Sequence, residues 1–116
     1  MSAAGCLFCR ILAREIPAEI IFEDERCVAF RDINPQAPLH ALVIPRKHIA
    51  GLEHLVEEDE ALLGHLHRAA AQIAESEGHR EKGYRTVVNN GPGAGQSVFH
   101  LHVHVLGGRN LKWPPG

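Results

Sequence analysis

The chain has 116 residues, 22% charged and 45% apolar, with a formal net charge of −2, which suits one globular domain spanning 1–116 and excludes a disordered or collagen-like polymer. A slightly acidic chain has no general electrostatic reason to bind nucleic acid or an anionic membrane, so any phosphate it takes must be held locally. No basic segment followed by an apolar core opens the sequence and nothing approaches the ~20 apolar residues of a membrane span, so a cytoplasmic location is expected.

In chain order, Cys6 to Arg14 reads as a short helix with Leu7, Phe8 and Ile11 inward, stopped before Ile16-Pro17 because the residue ahead of a proline avoids the helical region. Two strands, 19–23 and 27–30, flank the polar Asp24-Glu25-Arg26 and form a hairpin. Two prolines mark Asp32 to Pro38 as a loop, and His40 to Ile44 is a third strand closed by Pro45. Acids from Glu57 to Glu60 open a long helix in which Leu62, Leu66, Ala69 and Ile73 recur at helical spacing, with Gly78 as its stop. Tyr84 to Val88 is a fourth strand, Asn89 to Ser97 a glycine-rich loop, and Leu101 to Leu106 a fifth strand ended by Gly107-Gly108. Short turns and one long helical crossover predict an α+β fold: a five-stranded antiparallel sheet with one long and one short helix, covered by helices on one face.

Three of the nine histidines fall within His100 to His104. On a strand, His100, His102 and His104 share one face, and Leu101, Val103 and Val105 share the other, which belongs to the core. The imidazole face admits three readings: a solvated surface, a zinc site, since imidazoles two apart can share one ion, or a reactive surface. The loop that feeds the strand favours the last, because its glycines let the backbone approach a ligand and turn amides toward an anion. An imidazole is partly unprotonated near pH 7 and can attack phosphorus without a separate strong base. Upstream, Cys6-Leu7-Phe8-Cys9 is a chelating spacing that suits a tetrahedral zinc completed by two further ligands. Three cysteines are a poor basis for a disulfide framework, so Cys27 reads as buried core. His54, His65, His67 and His79 fall in no motif and read as surface or helix positions.

The run Gly95-Gln96-Ser97-Val98-Phe99-His100-Leu101-His102-Val103-His104-Val105-Leu106-Gly107-Gly108-Arg109 resembles the signature of the histidine-triad (HIT) family. Phe30 to Pro38, His40, Ile44 to Ile49 and Trp113-Pro114-Pro115-Gly116 are similar to its nucleotide-binding (HINT) branch, the purine nucleoside phosphoramidases, and the similarity runs from about Phe8 to the last residue.

That resemblance implies hydrolysis of adenosine 5'-monophosphoramidate-type P–N bonds through a nucleotidyl-histidine on His102, with no cofactor for the chemistry. His104 would contact the phosphate and help the amine depart, and His40 would orient His104 or relay a proton. Asn89, the Gly95 amide and the Ser97 hydroxyl match the family's phosphate contacts, and Gln96 is expected among the substrate-binding residues. Asp32 matches the acceptor of the ribose hydroxyls. Phe8, Ile11, Ile16, Phe30, Ile33 and Leu42 correspond to the pocket for the purine of an AMP or GMP moiety, which an apolar slot discriminates poorly.

Bacterial-type relatives carry a structural zinc on the equivalents of Cys6, Cys9, His48 and His100, whereas eukaryotic HINT proteins generally lack the cysteines. A HINT-like body with a zinc-type N-terminus is the resulting expectation. The resemblance also implies a symmetric homodimer whose C-terminal segments approach the partner's site, which puts Trp113 among the substrate-binding residues. Two other functions share the signature: a dinucleoside polyphosphate hydrolase or nucleotidyl transferase, and a nucleotide-binding or interaction protein without catalysis.

Overall fold

The computed structural model describes residues 5–116. Residues 1–4, part of the N-terminal stretch read above as lacking a targeting pattern, lie outside them. Strands β1 (Ile20–Glu23), β2 (Cys27–Arg31), β3 (Leu39–Pro45), β4 (Tyr84–Val87) and β5 (Val103–Gly107) form one sheet in the order β1-β2-β3-β5-β4. Every neighbouring pair is antiparallel. With α1 (Leu7–Leu12) and the long α2 (Glu60–Ser76), this is the expected α+β architecture. No helix among the described residues is long and apolar enough to cross a membrane.

The central strand explains the layering. Every residue of β3 is buried, and period-two alternation sends its side chains to two different cores. Leu39, Ala41 and Val43 meet Leu66, Ala69, Ala70 and Ile73 of α2, together with Leu101, Val103 and Val105. Leu42 and Ile44 meet Phe8 and Ile11 of α1, with Val28 and Phe30 of β2. Helices therefore cover both faces of the sheet, not one. A buried leucine or isoleucine contributes about 1.5–3 kcal/mol, so a strand that loads both layers has to be apolar throughout apart from His40.

Local differences from the sequence reading have physical causes. Phe8 and Ile11 point inward as expected, but Leu7 is 44% exposed, because one short turn of helix presents only one face to the sheet. Arg14 ends that helix with φ 60, ahead of Ile16-Pro17. The acidic run starts not α2 itself but a 3₁₀ turn, Glu57–Asp59, where Asp59 accepts from Val56 N–H at 3.1 Å and Lys47 Nζ at 2.6 Å. Strand pairing of β5 begins only at Val103, since Leu101 N–H bonds to the Ile49 carbonyl at 2.6 Å instead of to a strand. The alternation of faces survives nonetheless: Leu101, Val103 and Val105 stay in the α2 core.

His65 is less idle than its lack of motif suggested. Asp24, which caps the β1–β2 turn through the N–H groups of Arg26 and Cys27 at 2.8 and 2.9 Å, also accepts from His65 Nε2 at 2.6 Å. Arg26 donates to His65 Nδ1 at 3.0 Å, so both ring nitrogens are spent in fastening α2 to the hairpin. Burial pushes the neighbouring Cys27 thiol up to about 12, leaving an inert core residue.

Candidate active site

The α1 face of the sheet holds a cavity of about 340 Å³. Phe8, Ile11, Ile16, Phe30 and Leu42 form its apolar end, and Asp32, Ser97, His102 and His104 its polar end, with Gly95 and Ile33 at the wall. Asn89 stands beside this wall, its amide nitrogen 4.0 Å from where a Cβ on Gly95 would lie. Ile33 is 100% exposed, a large apolar side chain at the rim with no packing partner of its own. Sequence-distant elements thus bring together nearly all of the residues singled out above.

His102 is 7% exposed, and its Nδ1 lies 2.7 Å from the main-chain carbonyl of His100. A carbonyl only accepts, so Nδ1 carries the proton and Nε2 keeps its lone pair. Phe8 packs edge-on against this ring at 5.1 Å between centroids. Burial pushes His102 below the ordinary histidine value, which favours the neutral, nucleophilic form.

The same logic fixes a second pair. The N–H of Gln36 lies 3.0 Å from His40 Nδ1, and a backbone N–H only donates, so His40 Nδ1 is the acceptor and its proton sits on Nε2. That proton faces His104 Nδ1 at 3.0 Å and Asp32 Oδ2 at 3.4 Å. His104 Nδ1 therefore accepts, which leaves the His104 proton on Nε2. Burial, reinforced by His102 and His40, pushes His104 down to about 4; burial also lowers His40, against the pull of Asp32. Asp32, His40 and His104 converge closely enough to suggest a metal site. The Gln36 N–H argues otherwise, because ligation through His40 Nε2 would move the proton to Nδ1 and set it against that donor.

Cys6, Cys9, His48 and His100 form a different kind of cluster. His100 Nδ1 lies 3.4 Å from Cys6 Sγ, 3.6 Å from Cys9 Sγ and 3.2 Å from His48 Nδ1, and His48 Nδ1 lies 3.3 Å from Cys9 Sγ. A zinc tetrahedron with Zn–S of about 2.3 Å and Zn–N of about 2.05 Å has S–N edges near ~3.6 Å and N–N edges near ~3.3 Å. These donors therefore fit a zinc ion. His100 Nε2 donates to the Pro45 carbonyl at 2.8 Å, the outer contact that aims a ligating imidazole. Without a cation, burial and the neighbouring Cys6 push the Cys9 thiol up to about 11, and burial pushes His100 down to about 4.

The glycine-rich loop departs from expectation at two residues. Gln96 is 5% exposed with its side chain turned inward: Oε1 accepts from Gly91 N–H at 2.7 Å, and Nε2 donates to the carbonyls of Ala50 and Val98 at 2.8 and 3.2 Å. It ties the loop down, with both of its amide hydrogens spent inside the chain. The Gly95 N–H, expected to face a phosphate, is engaged with the Pro92 carbonyl at 3.1 Å. Among the described residues no bond in the chain engages the N–H groups of Ser97 and Val98 or the Ser97 hydroxyl, and both residues line the cavity. Trp113 is 80% exposed and does not line this cavity.

Comparison with known proteins places the chain in a family. The HIT domain family model matches residues 13–111. An uncharacterized HIT-like protein of Synechococcus elongatus is 57% identical over 110 residues, covering 95% of this chain and 96% of that protein. The crystal structure of a HIT family hydrolase from Legionella pneumophila superposes with a TM-score of 0.94 at 51% identity, covering 97% of this chain and all of that one. A Zn-bound histidine triad family protein from Mycobacterium smegmatis has a TM-score of 0.79 at 33% identity, over 94% of this chain and 78% of that one. With fold, histidine run and sequence in agreement over nearly its whole length, this chain belongs to the HIT domain family.

Proposed function

We propose that the chain is a purine nucleoside phosphoramidase of the HINT type, acting on AMP- or GMP-like phosphoramidates. The observation that carries this reading is the lone pair of His102 Nε2, freed by the bond from Nδ1 to the His100 carbonyl and set at the polar end of a cavity with an apolar floor. His102 Nε2 attacks phosphorus, the P–N bond breaks, and the departing amine takes the Nε2 proton of His104. Water then attacks the nucleotidyl-histidine and returns a proton to His104, releasing the nucleotide and restoring His102. His40 holds His104 in the tautomer this requires. Ser97 and the free loop amides meet the charge on the phosphoryl oxygens, Asp32 accepts from the ribose hydroxyls, and the base lies against Phe8, Phe30 and Leu42.

Cys6, Cys9, His48 and His100 hold a structural zinc in this reading, supported by the spacing of the four donors. Its chemistry is cross-linking: with four protein ligands no open position is left for substrate. A two-fold homodimer is also proposed, because β4 ends the sheet with one side unpaired and such an edge is a template for a second copy. Trp113 then reaches substrate from the partner. Light scattering at the monomer mass across micromolar concentrations would contradict the dimer.

Mass spectrometry of enzyme quenched during turnover of adenosine phosphoramidate tests the central claim. A nucleotidyl adduct on His102 is expected. Turnover without any adduct, or tight AMP binding with no turnover of any phosphoramidate, overturns it, and preference for a dinucleoside polyphosphate transfers the chemistry to another leaving group.

A further inference from the structure

Arg109 is employed differently from the paired arginines of the surface. Arg10, Arg14, Arg31, Arg46 and Arg80 each lie within 4.0 Å of a carboxylate. Arg109 instead gives its Nε–H to the carbonyl of Gln36 at 2.8 Å and an Nη1–H to the carbonyl of Asn110 at 3.1 Å. It pairs with no carboxylate among the described residues, so charge neutralisation is not its task.

The carbonyl it holds belongs to the residue whose N–H meets His40 Nδ1 at 3.0 Å. Only the two torsions of Gln36 separate that N–H from that carbonyl. Pro35 has a fixed φ, and Ala37, ahead of Pro38, is confined to extended backbone. The loop is closed further from within: Asn34 N–H bonds to Asp32 Oδ1 at 2.9 Å and Gln36 Nε2 to the Asn34 carbonyl at 3.0 Å. The exit of β5 lies directly on it. Gly108 has φ +94, and a Cβ there would stand 2.8 Å from Pro38 Cβ.

We propose that Arg109 is a positioning residue: by holding the Gln36 carbonyl it keeps the Gln36 N–H on His40 Nδ1, and so fixes which nitrogens of His40 and His104 carry protons. With the Arg109 donor gone, the loop is free to turn the Gln36 N–H away. His40 then populates both neutral tautomers, and in the alternative one its Nε2 has a lone pair facing that of His104 Nδ1. His104 in turn loses the arrangement that places its own proton on Nε2. The kinetic consequence rests on the phosphoramidase reading, whereas the tautomer itself does not.

Long-range 1H–15N spectra of the imidazoles in the whole protein test this. The unsubstituted protein should show unprotonated Nδ1 and protonated Nε2 on both His40 and His104. Arg109→Ala should turn His40 into a mixture of tautomers. Arg109→Met, which keeps the stem without the donor, should do the same and serves where the alanine variant folds poorly. With adenosine phosphoramidate, kcat should fall about tenfold while KM stays within about twofold. An unchanged His40 spectrum in the variants overturns the proposal, even if they melt earlier, and so does a protonated Nδ1 on His40 in the unsubstituted protein. A protein that turns over no phosphoramidate but shows the expected tautomer shift rejects the functional reading and leaves the role of Arg109 standing.

Discussion

His102 gives its Nδ1 proton to the backbone carbonyl of His100 over 2.7 Å, while the ring of His100 points into the cluster with Cys6, Cys9 and His48. The proposed nucleophile is therefore aimed by the main chain of a residue whose side chain belongs to another site. His102→Asn should lower phosphoramidate turnover by about 10³-fold or more while AMP affinity stays within a few fold. Full turnover by this variant, measured with a fluorogenic phosphoramidate, rejects the mechanism.

Ser97 offers the cavity its hydroxyl beside two free backbone amides. Ser97→Ala should cost about 2 kcal/mol of transition-state stabilisation, tenfold or more in kcat/KM, with the melting temperature unchanged. Steady-state kinetics on the purified variant decides, and an effect confined to stability would place the hydroxyl outside the reaction.

Gln96→Leu should act on the fold. It strands the N–H of Gly91 and the carbonyls of Ala50 and Val98, which now share the buried amide, at a cost of about 2–4 kcal/mol. Urea unfolding reads this directly. Unaltered stability with a raised KM would instead make Gln96 a substrate contact.

The histidine site also predicts a pH dependence. His104 is held down to about 4, from an ordinary 6.5, so between those values the unfolded chain binds more protons than the folded one. The resulting stability is complete above the ordinary value and is lost as pH falls from there toward the folded value. Urea midpoints measured from pH 7 to 4 should therefore decline, and less steeply in His104→Asn. Turnover should persist well below pH 6.5, because His104 stays neutral there; an acid limb centred at the ordinary histidine value would refute this.

Zinc removal offers a fifth handle. Cys9→Ser, or prolonged chelation of the intact protein, should eliminate close to one zinc per chain and lower Tm by about 10 °C or more. Elemental analysis with calorimetry checks both. A protein purified with full stability and no zinc would dismiss the cluster as a metal site.

The alternation of histidine with Leu101, Val103 and Val105 was legible because period two is a property of the backbone, and it holds even where strand pairing is absent. Cys6 and Cys9 announce chelation by spacing alone, but 39 residues separate Cys9 from His48 and 94 separate Cys6 from His100, so only the family resemblance joined them in advance. Two kinds of information were out of reach. Which face a six-residue helix buries depends on how the sheet receives it, and this is why Leu7 ends up exposed. Which polar groups are already spent depends on contacts across the chain: the inward Gln96 amide, the engaged Gly95 N–H and the Gln36 N–H on His40 leave no mark in a linear pattern.

Phe8 sits between the two cysteines and lies edge-on to Phe30 at 5.3 Å, to His100 at 5.9 Å and to His102 at 5.1 Å. One aromatic ring is thus shared by the thiol knot, the base slot and the reactive imidazole. A change at this position would be felt in all three places together, so drift in nucleobase preference has to be sought at cavity residues that lie outside the cysteine cluster, such as the half-buried Ile16.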